Sequence, residues 1–136
     1  MTDQATEAAA LLERDAEWAA EASTGRDVEK IVAYWSADAV VVPPGQAPII
    51  GRDALREYVQ GTFQIPGFSI TWQATAEPEF SPDLRMAHMW ARNQVSFDDP
   101  EGTRVTVYGR ALTIWRREAD GQWRCTVDIW NDEPQS

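Results

Sequence analysis

The sequence predicts an α+β fold in which helices come first and a mostly antiparallel sheet follows. Helix-forming residues with apolar side chains at helical spacing dominate the first part of the 136-residue chain. Segments rich in β-forming residues, separated by turn clusters, dominate the second half. Between them, residues 37–51 hold three successive valines followed by Pro-Pro-Gly, a pattern that predicts a short hairpin. This hairpin would join the helices to the edge of the sheet.

The first predicted helix spans residues 6–22 and is rich in Ala, Leu and Glu, all good helix formers. Its apolar side chains, Trp18 among them, recur at helical spacing. Asp15 falls within this apolar stripe, where a carboxylate is unexpected. It could line an internal cavity, pair with a nearby arginine, or lie exposed if the helix is rotated.

Two further helices are predicted on either side of the hairpin. Asp27 can cap a second helix, whose apolar stripe ends at Trp35. A third helix runs from residue 52 to about residue 63, and Tyr58 and Val59 are among its inward-facing side chains.

The second half of the chain predicts a meander of long strands. The candidate strands are residues 68–80, 84–97, 103–117 and 123–130. Strands of this length in a small domain must curve, and a curved sheet with helices on its concave side encloses a cone.

Composition limits the class of partner and cofactor. The net charge of −10 disfavours nucleic acid and anionic membranes, because both require a basic surface. The single cysteine, Cys125, allows no internal disulfide, and one His with one Cys leaves almost nothing for a zinc site. No apolar run is long enough to span a bilayer, and no signal-peptide pattern is present. We therefore expect a cytoplasmic protein of one domain, without metal or cofactor.

Two stretches of the chain carry a resemblance to a known family. Residues 34–59, YWSADAVVVPPGQAPIIGRDALREYV, resemble the signature of the SnoaL-like family within the nuclear transport factor two-like superfamily. Residues 120–134, DGQWRCTVDIWNDEP, are similar to the last strand of that family. Steroid isomerases and polyketide cyclases belong to the same superfamily. The resemblance implies a cone-shaped α+β barrel, with three N-terminal helices on a strongly curved sheet.

The last strand has two faces by simple alternation. One face holds Trp123, Cys125, Val127 and Ile129, and the other holds Arg124, Thr126, Asp128 and Trp130. Either the apolar face packs on the helices and Asp128 lies in water, or Asp128 and Trp130 point inward. The resemblance favours the second, because the matching positions line the ligand cavity of the steroid isomerases. Asp128 is then the best acid/base candidate, since a carboxylate in an apolar pocket has a raised pKa.

The strand at residues 86–94 alternates in the same way. His88, Trp90 and Arg92 share one face with Gln94. If this face lines the pocket, His88 could act as a base and Arg92 could hold an anionic group or polarise an oxygen. Otherwise it is a solvated or subunit-facing surface, and the same alternative applies to Tyr108 on the next strand.

The seven tryptophans divide between core and cavity. We expect Trp115 and Trp123 in the core, and the resemblance places Trp35 and Trp130 at the cavity. The predicted ligand-binding residues are Asp15, Trp18, Trp35, Val59, Trp72, Trp90, Tyr108 and Trp130. An indole-lined cone suits a flat, largely apolar ligand.

The chain departs from the steroid isomerases at the residues that carry their chemistry. Their proton-shuttling aspartate matches Val42 or Pro43 here, and neither can move a proton. Their tyrosine on the first helix falls near residues 18–19, and their second aspartate falls near residues 112–113. These differences argue against a ketosteroid isomerase.

Three functions remain open from the sequence. The first is a cofactor-independent isomerase, cyclase, lyase or dehydratase that acts on a small hydrophobic, aromatic or polyketide-like substrate. The second is a non-catalytic binder of a similar ligand, and the third is a dimerisation module with a filled core. A homodimer is expected in any case, because aromatic residues lie on both faces of the predicted sheet.

Overall fold

A computed structural model describes residues 3–134. Three helices occur in the first half: α1 (Gln4–Thr24), α2 (Val28–Val32) and α3 (Arg52–Thr62). The strands are β1 (Trp35–Val42), β2 (Ile49–Ile50), β3 (Ser69–Ala74), β4 (Glu79–Phe80), β5 (Met86–Asp98), β6 (Arg104–Arg117) and β7 (Trp123–Asp132). The α+β class and the order of helices and strands are confirmed.

The seven strands form one sheet in the order β2-β1-β7-β6-β5-β3, and β4 also pairs with β5. Among the strands of the described residues, β1 and β7 run parallel and every other pairing is antiparallel. The two outer strands of this order do not pair with each other, so the sheet is open and does not close into a barrel. The helices cover one face, which we call the inner face; the opposite face is the outer face.

The ends of α1 follow the chemistry of its flanking residues. Asp3 accepts a hydrogen bond from the backbone N–H of Thr6 at 2.7 Å and so caps the N-terminus. Gly25 ends the helix with a φ of 61°, a left-handed conformation that glycine adopts without a Cβ penalty. None of the helices within residues 3–134 has the length and apolar character that a membrane crossing needs.

One boundary differs from the sequence prediction in a way that affects the cavity. Trp35 was expected on the second helix, but α2 ends at Val32 and Trp35 is the first residue of β1. The helix is short because Trp35 pairs with Cys125 of β7, and this pairing draws the chain into the sheet. As a result, the Trp35 side chain projects from the sheet rather than from a helix.

A β-bulge in β7 decides which residues face inward. Ile114 on β6 pairs with Val127, but Trp115 pairs with Cys125, so Thr126 is an extra residue in β7. Cys125 pairs with Trp115 and Asp128 pairs with Thr113, and these two β6 residues are two positions apart. Cys125 and Asp128 therefore lie on the same, inner face. The sequence prediction of two faces by strict alternation along this strand is wrong for this reason.

The core lies between the helices and the inner face. Trp18 of α1 is at its centre and packs edge-on against three other indoles, Trp35, Trp72 and Trp115, with ring centroids 5.2–5.5 Å apart. Edge-to-face aromatic packing at this separation is favourable. It fixes α1 against the sheet and builds one wall of an internal cavity.

Candidate functional site

A cavity of about 90 Å³ lies between the three helices and the inner face of the sheet. This volume is several times larger than the roughly 10–15 Å³ that one buried water molecule requires. Its walls are mostly aromatic and apolar, and they include Trp18, Trp35, Tyr58, Trp72 and Trp130. Pockets of this kind, apolar with a few convergent polar groups, are typical of small-molecule sites.

Two carboxylates face the cavity from opposite walls. Asp15 comes from the middle of α1 and Asp128 from β7, just beyond the bulge. Asp15 is only 5% exposed, and its Oδ1 accepts a hydrogen bond from Trp72 Nε1 at 3.1 Å. Burial raises the pKa of Asp15, and the Trp72 hydrogen bond opposes that rise.

Asp128 is the most strongly perturbed carboxyl group of the cavity. Burial, and then the negative charge of Asp15, raises its pKa to about 7. The residue as a whole is half-buried, because it opens onto the cavity, although protein atoms surround its carboxyl group. A carboxyl group with this pKa is present in both protonation states near neutral pH.

Tyr58 and Trp35 add hydrogen-bond donors to the same space. Tyr58 of α3 lines the cavity, and burial together with the nearby Asp128 raises its pKa to about 12, so its hydroxyl remains a donor. Trp35 also lines the cavity, and its buried Nε1 has no hydrogen-bond partner in the described part of the chain. This N–H exerts a small lowering effect on the pKa of Asp128 without reaching hydrogen-bonding geometry.

The polar groups beneath the cavity are already engaged. Thr113 Oγ1 accepts a hydrogen bond from Trp115 Nε1 at 2.9 Å. Cys125 is completely buried, and burial raises the pKa of its thiol well above the ordinary value. The thiol is therefore protonated and is not a nucleophile. Within residues 3–134, no group of three or more His, Cys, Asp or Glu side chains is placed to hold a metal ion.

Comparison with known families identifies the fold. The family described as "SnoaL-like domain" matches residues 15–125, which is most of the chain. The chain belongs to the SnoaL-like family. The match includes α1 from Asp15 onward and the central hairpin, but it stops at Cys125, just before Asp128. Membership therefore supports the fold and leaves the chemistry of Asp128 to be argued from its surroundings.

Solved structures of similar fold include proteins with different descriptions. A ketosteroid isomerase-like protein from Erwinia carotovora atroseptica SCRI1043 has a TM-score of 0.74 at 20% identity, with 93% of this chain and 96% of that one covered. A Novosphingobium aromaticivorans protein, provisionally described as an aromatic ring hydroxylase, has a TM-score of 0.80 at 21% identity, with 99% and 95% covered. At these identities the likeness shows the fold alone. No curated protein matches the sequence.

Within this SnoaL-like fold, most of the predicted site residues meet at the cavity. The predicted residues that line it are Asp15, Trp18, Trp35, Val59, Trp72, Asp128 and Trp130. Tyr58 was predicted to face inward but was not assigned to the site. The signal available in the sequence was its position beside Val59 on the inward face of the third helix.

Four predicted site residues lie away from the cavity, on the outer face. His88 Nε2 lies 3.4 Å from Glu79 Oε2, and Arg92 Nε donates to Glu133 Oε1 at 2.8 Å. Trp90 lies between these two residues on β5, at every second position, and therefore shares their face. The odd-numbered residues from Ala87 to Asn93 point inward, which directs these three outward.

Tyr108 of β6 is the fourth residue on the outer face. The Arg92 guanidinium lies 4.3 Å from the centroid of its ring. Neither an imidazole base nor a guanidinium is therefore placed beside Asp128, contrary to the arrangement considered from the sequence.

Proposed function

We propose that this SnoaL-like protein binds a small, largely apolar molecule in the cavity and acts on it by acid/base chemistry without a cofactor. Asp128 is the group that moves the proton. The observation that supports this role is a carboxyl group with a pKa of about 7 in a mostly aromatic cavity. General acid–base catalysis is most effective when the pKa of the catalytic group lies near the working pH.

Asp15 replaces His88 and Arg92 as the partner of Asp128 in this proposal. Its negative charge contributes to the raised pKa of Asp128. Two carboxyl groups that share an apolar site resist simultaneous ionisation, so one of them retains a proton near neutrality. Asp15 is further held by Trp72. We assign Asp15 to tuning the protonation of Asp128 and Asp128 to proton transfer.

The proposed step needs no group beyond the chain and the substrate. The Asp128 carboxylate takes a proton from a carbon next to a carbonyl. The electron pair of that C–H bond forms the C=C bond of an enolate, and the π pair of the carbonyl group moves onto its oxygen. The resulting carboxylic acid returns the proton to the same or another atom of the substrate. Isomerisation, cyclisation and elimination can all be built from this exchange.

The test follows hydrogen exchange, so the natural substrate need not be known. Acetophenone in D₂O is incubated with the protein, and ¹H NMR measures the loss of its methyl signal as deuterium replaces the α-hydrogens. We expect acceleration that rises with pH to a plateau above about pH 7, because the base form of Asp128 is required. Asp128→Asn should slow the exchange by about 100- to 10,000-fold.

Asp132→Asn is the matched control, since it changes an exposed aspartate on the same strand. It should exchange acetophenone like the unchanged protein. Equal rates for Asp128→Asn and the unchanged protein would remove Asp128 from the mechanism.

We also propose a homodimer that forms through the outer face. Trp90, Leu112 and Ile129 pair in one row across β5, β6 and β7. Trp90 is 51% exposed and Ile129 is 41% exposed, which is unusual for large apolar side chains on a sheet. A second copy of this face would cover them.

Light scattering on the eluting protein tests the dimer. We expect twice the 15.3 kDa chain mass at micromolar concentration, and the chain mass for Trp90→Glu. Ile65→Glu is the control, because Ile65 is 41% exposed but lies outside the sheet. A monomer for the unchanged protein would count against the dimer.

A further inference from the structure

Trp35 differs from the other buried indoles in its hydrogen bonding. Trp18, Trp72, Trp115 and Trp123 donate their indole N–H groups to Ile31 O, Asp15, Thr113 and Glu7 respectively. Trp35 is equally buried, at 5% exposed, yet its Nε1 has no partner in the described chain. Buried donors in native proteins are paired in nearly all cases, so an unpaired one that borders a cavity needs an acceptor there.

The position of Trp35 is fixed by its neighbours. Arg52 Nη2 donates to the Trp35 carbonyl oxygen at 2.7 Å, and the Trp35 ring packs edge-on against Trp18 at 5.2 Å. The ring therefore cannot easily turn its N–H toward another protein acceptor. An oxygen atom placed in the cavity would satisfy the N–H without moving the protein.

The same donor lies beside the proposed catalytic group. Trp35 and Asp128 line the same cavity, and the Trp35 N–H lies near enough to lower the pKa of the Asp128 carboxyl group slightly. A ligand oxygen bonded to Trp35 would thus lie close to Asp128. The adjacent C–H or O–H group of the ligand would then be within reach of the carboxylate.

The charge of the cavity adds a second restriction. Among the described residues, no Lys, Arg or His lines the cavity, whereas Asp15 and Asp128 both do. A ligand with a carboxylate would bring a further negative charge into an apolar space that has no cation to balance it. Such a ligand should be rejected.

We infer that the cavity selects an uncharged ligand that presents a carbonyl-type oxygen to the Trp35 N–H, and that Asp15 and Asp128 exclude ligands bearing a carboxylate. This inference rests on the proposed ligand site and adds the substrate class to it. Trp35 then acts as the donor that orients the ligand and stabilises the negative charge that develops on its oxygen when Asp128 removes a proton.

Four probes of similar shape separate these effects. Acetophenone carries the acceptor, α-methylstyrene replaces its oxygen with CH₂, benzoate carries a negative charge and benzamidinium carries a positive one. We expect acetophenone to bind about tenfold more tightly than α-methylstyrene, the ratio that one hydrogen bond to a buried donor gives. Benzoate should bind at least about tenfold more weakly than acetophenone. Benzamidinium is attracted by the carboxyl groups but has no acceptor for the Trp35 N–H, so we expect it to bind no more tightly than acetophenone.

Variants test whether the Trp35 N–H causes the preference for acetophenone over α-methylstyrene. Trp35→Phe should reduce the preference for acetophenone over α-methylstyrene to nearly one. Trp18→Phe enlarges the same cavity but removes an N–H that is already bonded to Ile31 O, so it should weaken both probes and preserve the ratio. Asp15→Asn should reduce the discrimination against benzoate.

A measurement on the unchanged protein covers the case in which Trp35→Phe does not fold. In ¹⁵N-labelled protein the Trp35 indole proton should move downfield with acetophenone and not with α-methylstyrene. Retention of the ratio in Trp35→Phe, absence of that shift, or tightest binding by benzoate or benzamidinium would overturn the inference while leaving the cavity as a ligand site. Failure of all four probes to bind would remove the proposed function together with it.

Discussion

Replacement of Asp128 by Asn should make the protein more stable at alkaline pH. The pKa of Asp128 is raised in the folded state from its ordinary value of 3.8 to about 7. Its contribution is therefore most favourable below pH 3.8 and is lost as the pH rises through 7, because the folded protein must then hold a buried carboxylate. Asparagine keeps the shape of the side chain and has no proton to lose.

The magnitude follows from the size of the pKa change. At 1.36 kcal/mol for each pKa unit, the interval from 3.8 to about 7 corresponds to roughly 4 kcal/mol. Relaxation and water in the open cavity reduce this value. We expect Asp128→Asn to gain about 1–3 kcal/mol relative to the unchanged protein between pH 4 and pH 8.5.

Urea unfolding of both proteins at several pH values measures this difference. Comparing the two proteins at each pH largely cancels the other titrating groups, and Asp132→Asn, which changes an exposed aspartate on the same strand, serves as the control variant. A difference between Asp128→Asn and the unchanged protein that does not grow with pH would refute the raised pKa. A difference that shrinks would show that Asp128 is stabilised as a carboxylate in the folded state.

Two other substitutions test neighbouring parts of the site. Asp15→Asn removes the charge that opposes ionisation of Asp128, so the pKa of Asp128 measured by NMR should fall; an unchanged value would show that the two carboxyl groups are independent. Gly109→Ala should cost about 1–3 kcal/mol in urea unfolding, because its Cβ would collide with the Asn93 side chain and lie 2.9 Å from the Asn131 carbonyl oxygen. Gly61→Ala, which meets nothing within 4 Å on α3, is its control and should unfold at equal or higher urea.

Local patterns predicted much of this fold because each segment follows one period. The 3.6-residue spacing in α1 put Trp18 on the inward face, and both it and Asp15 line the cavity. Alternation also holds along β5 as far as Asn93, with Met89 and Asn93 inward and His88 outward. The alternation could not say which of the two faces the helices would cover.

The bulge in β7 was beyond the reach of alternation. Thr126 is an ordinary β-forming residue, and no glycine or proline marks the irregularity. It arises from the pairing with β6 and β1, which is non-local. The bulge lets the buried Cys125 and the cavity-lining Asp128 share one face, whereas the sequence presented them as alternatives.

Trp35 shows a second limit of sequence reasoning. Its spacing from Ile31 and Val32 fits a helix, but pairing with Cys125 draws it into β1. Tertiary contacts here override the local pattern. The unpaired N–H of Trp35 is likewise a property of the packed structure, since four other tryptophans of the same chain find partners.

Direct titration of the Asp128 carboxyl group is the most immediate test of the proposed chemistry. The ¹³C resonance of its side-chain carboxyl carbon, assigned by comparison with Asp128→Asn, can be followed from pH 3 to pH 10 without any ligand. The surroundings of Asp128 predict a midpoint at about pH 7, through burial in the cavity and the charge of Asp15. A midpoint near the ordinary aspartate value of 3.8 would contradict the proposal that Asp128 exchanges protons at neutral pH.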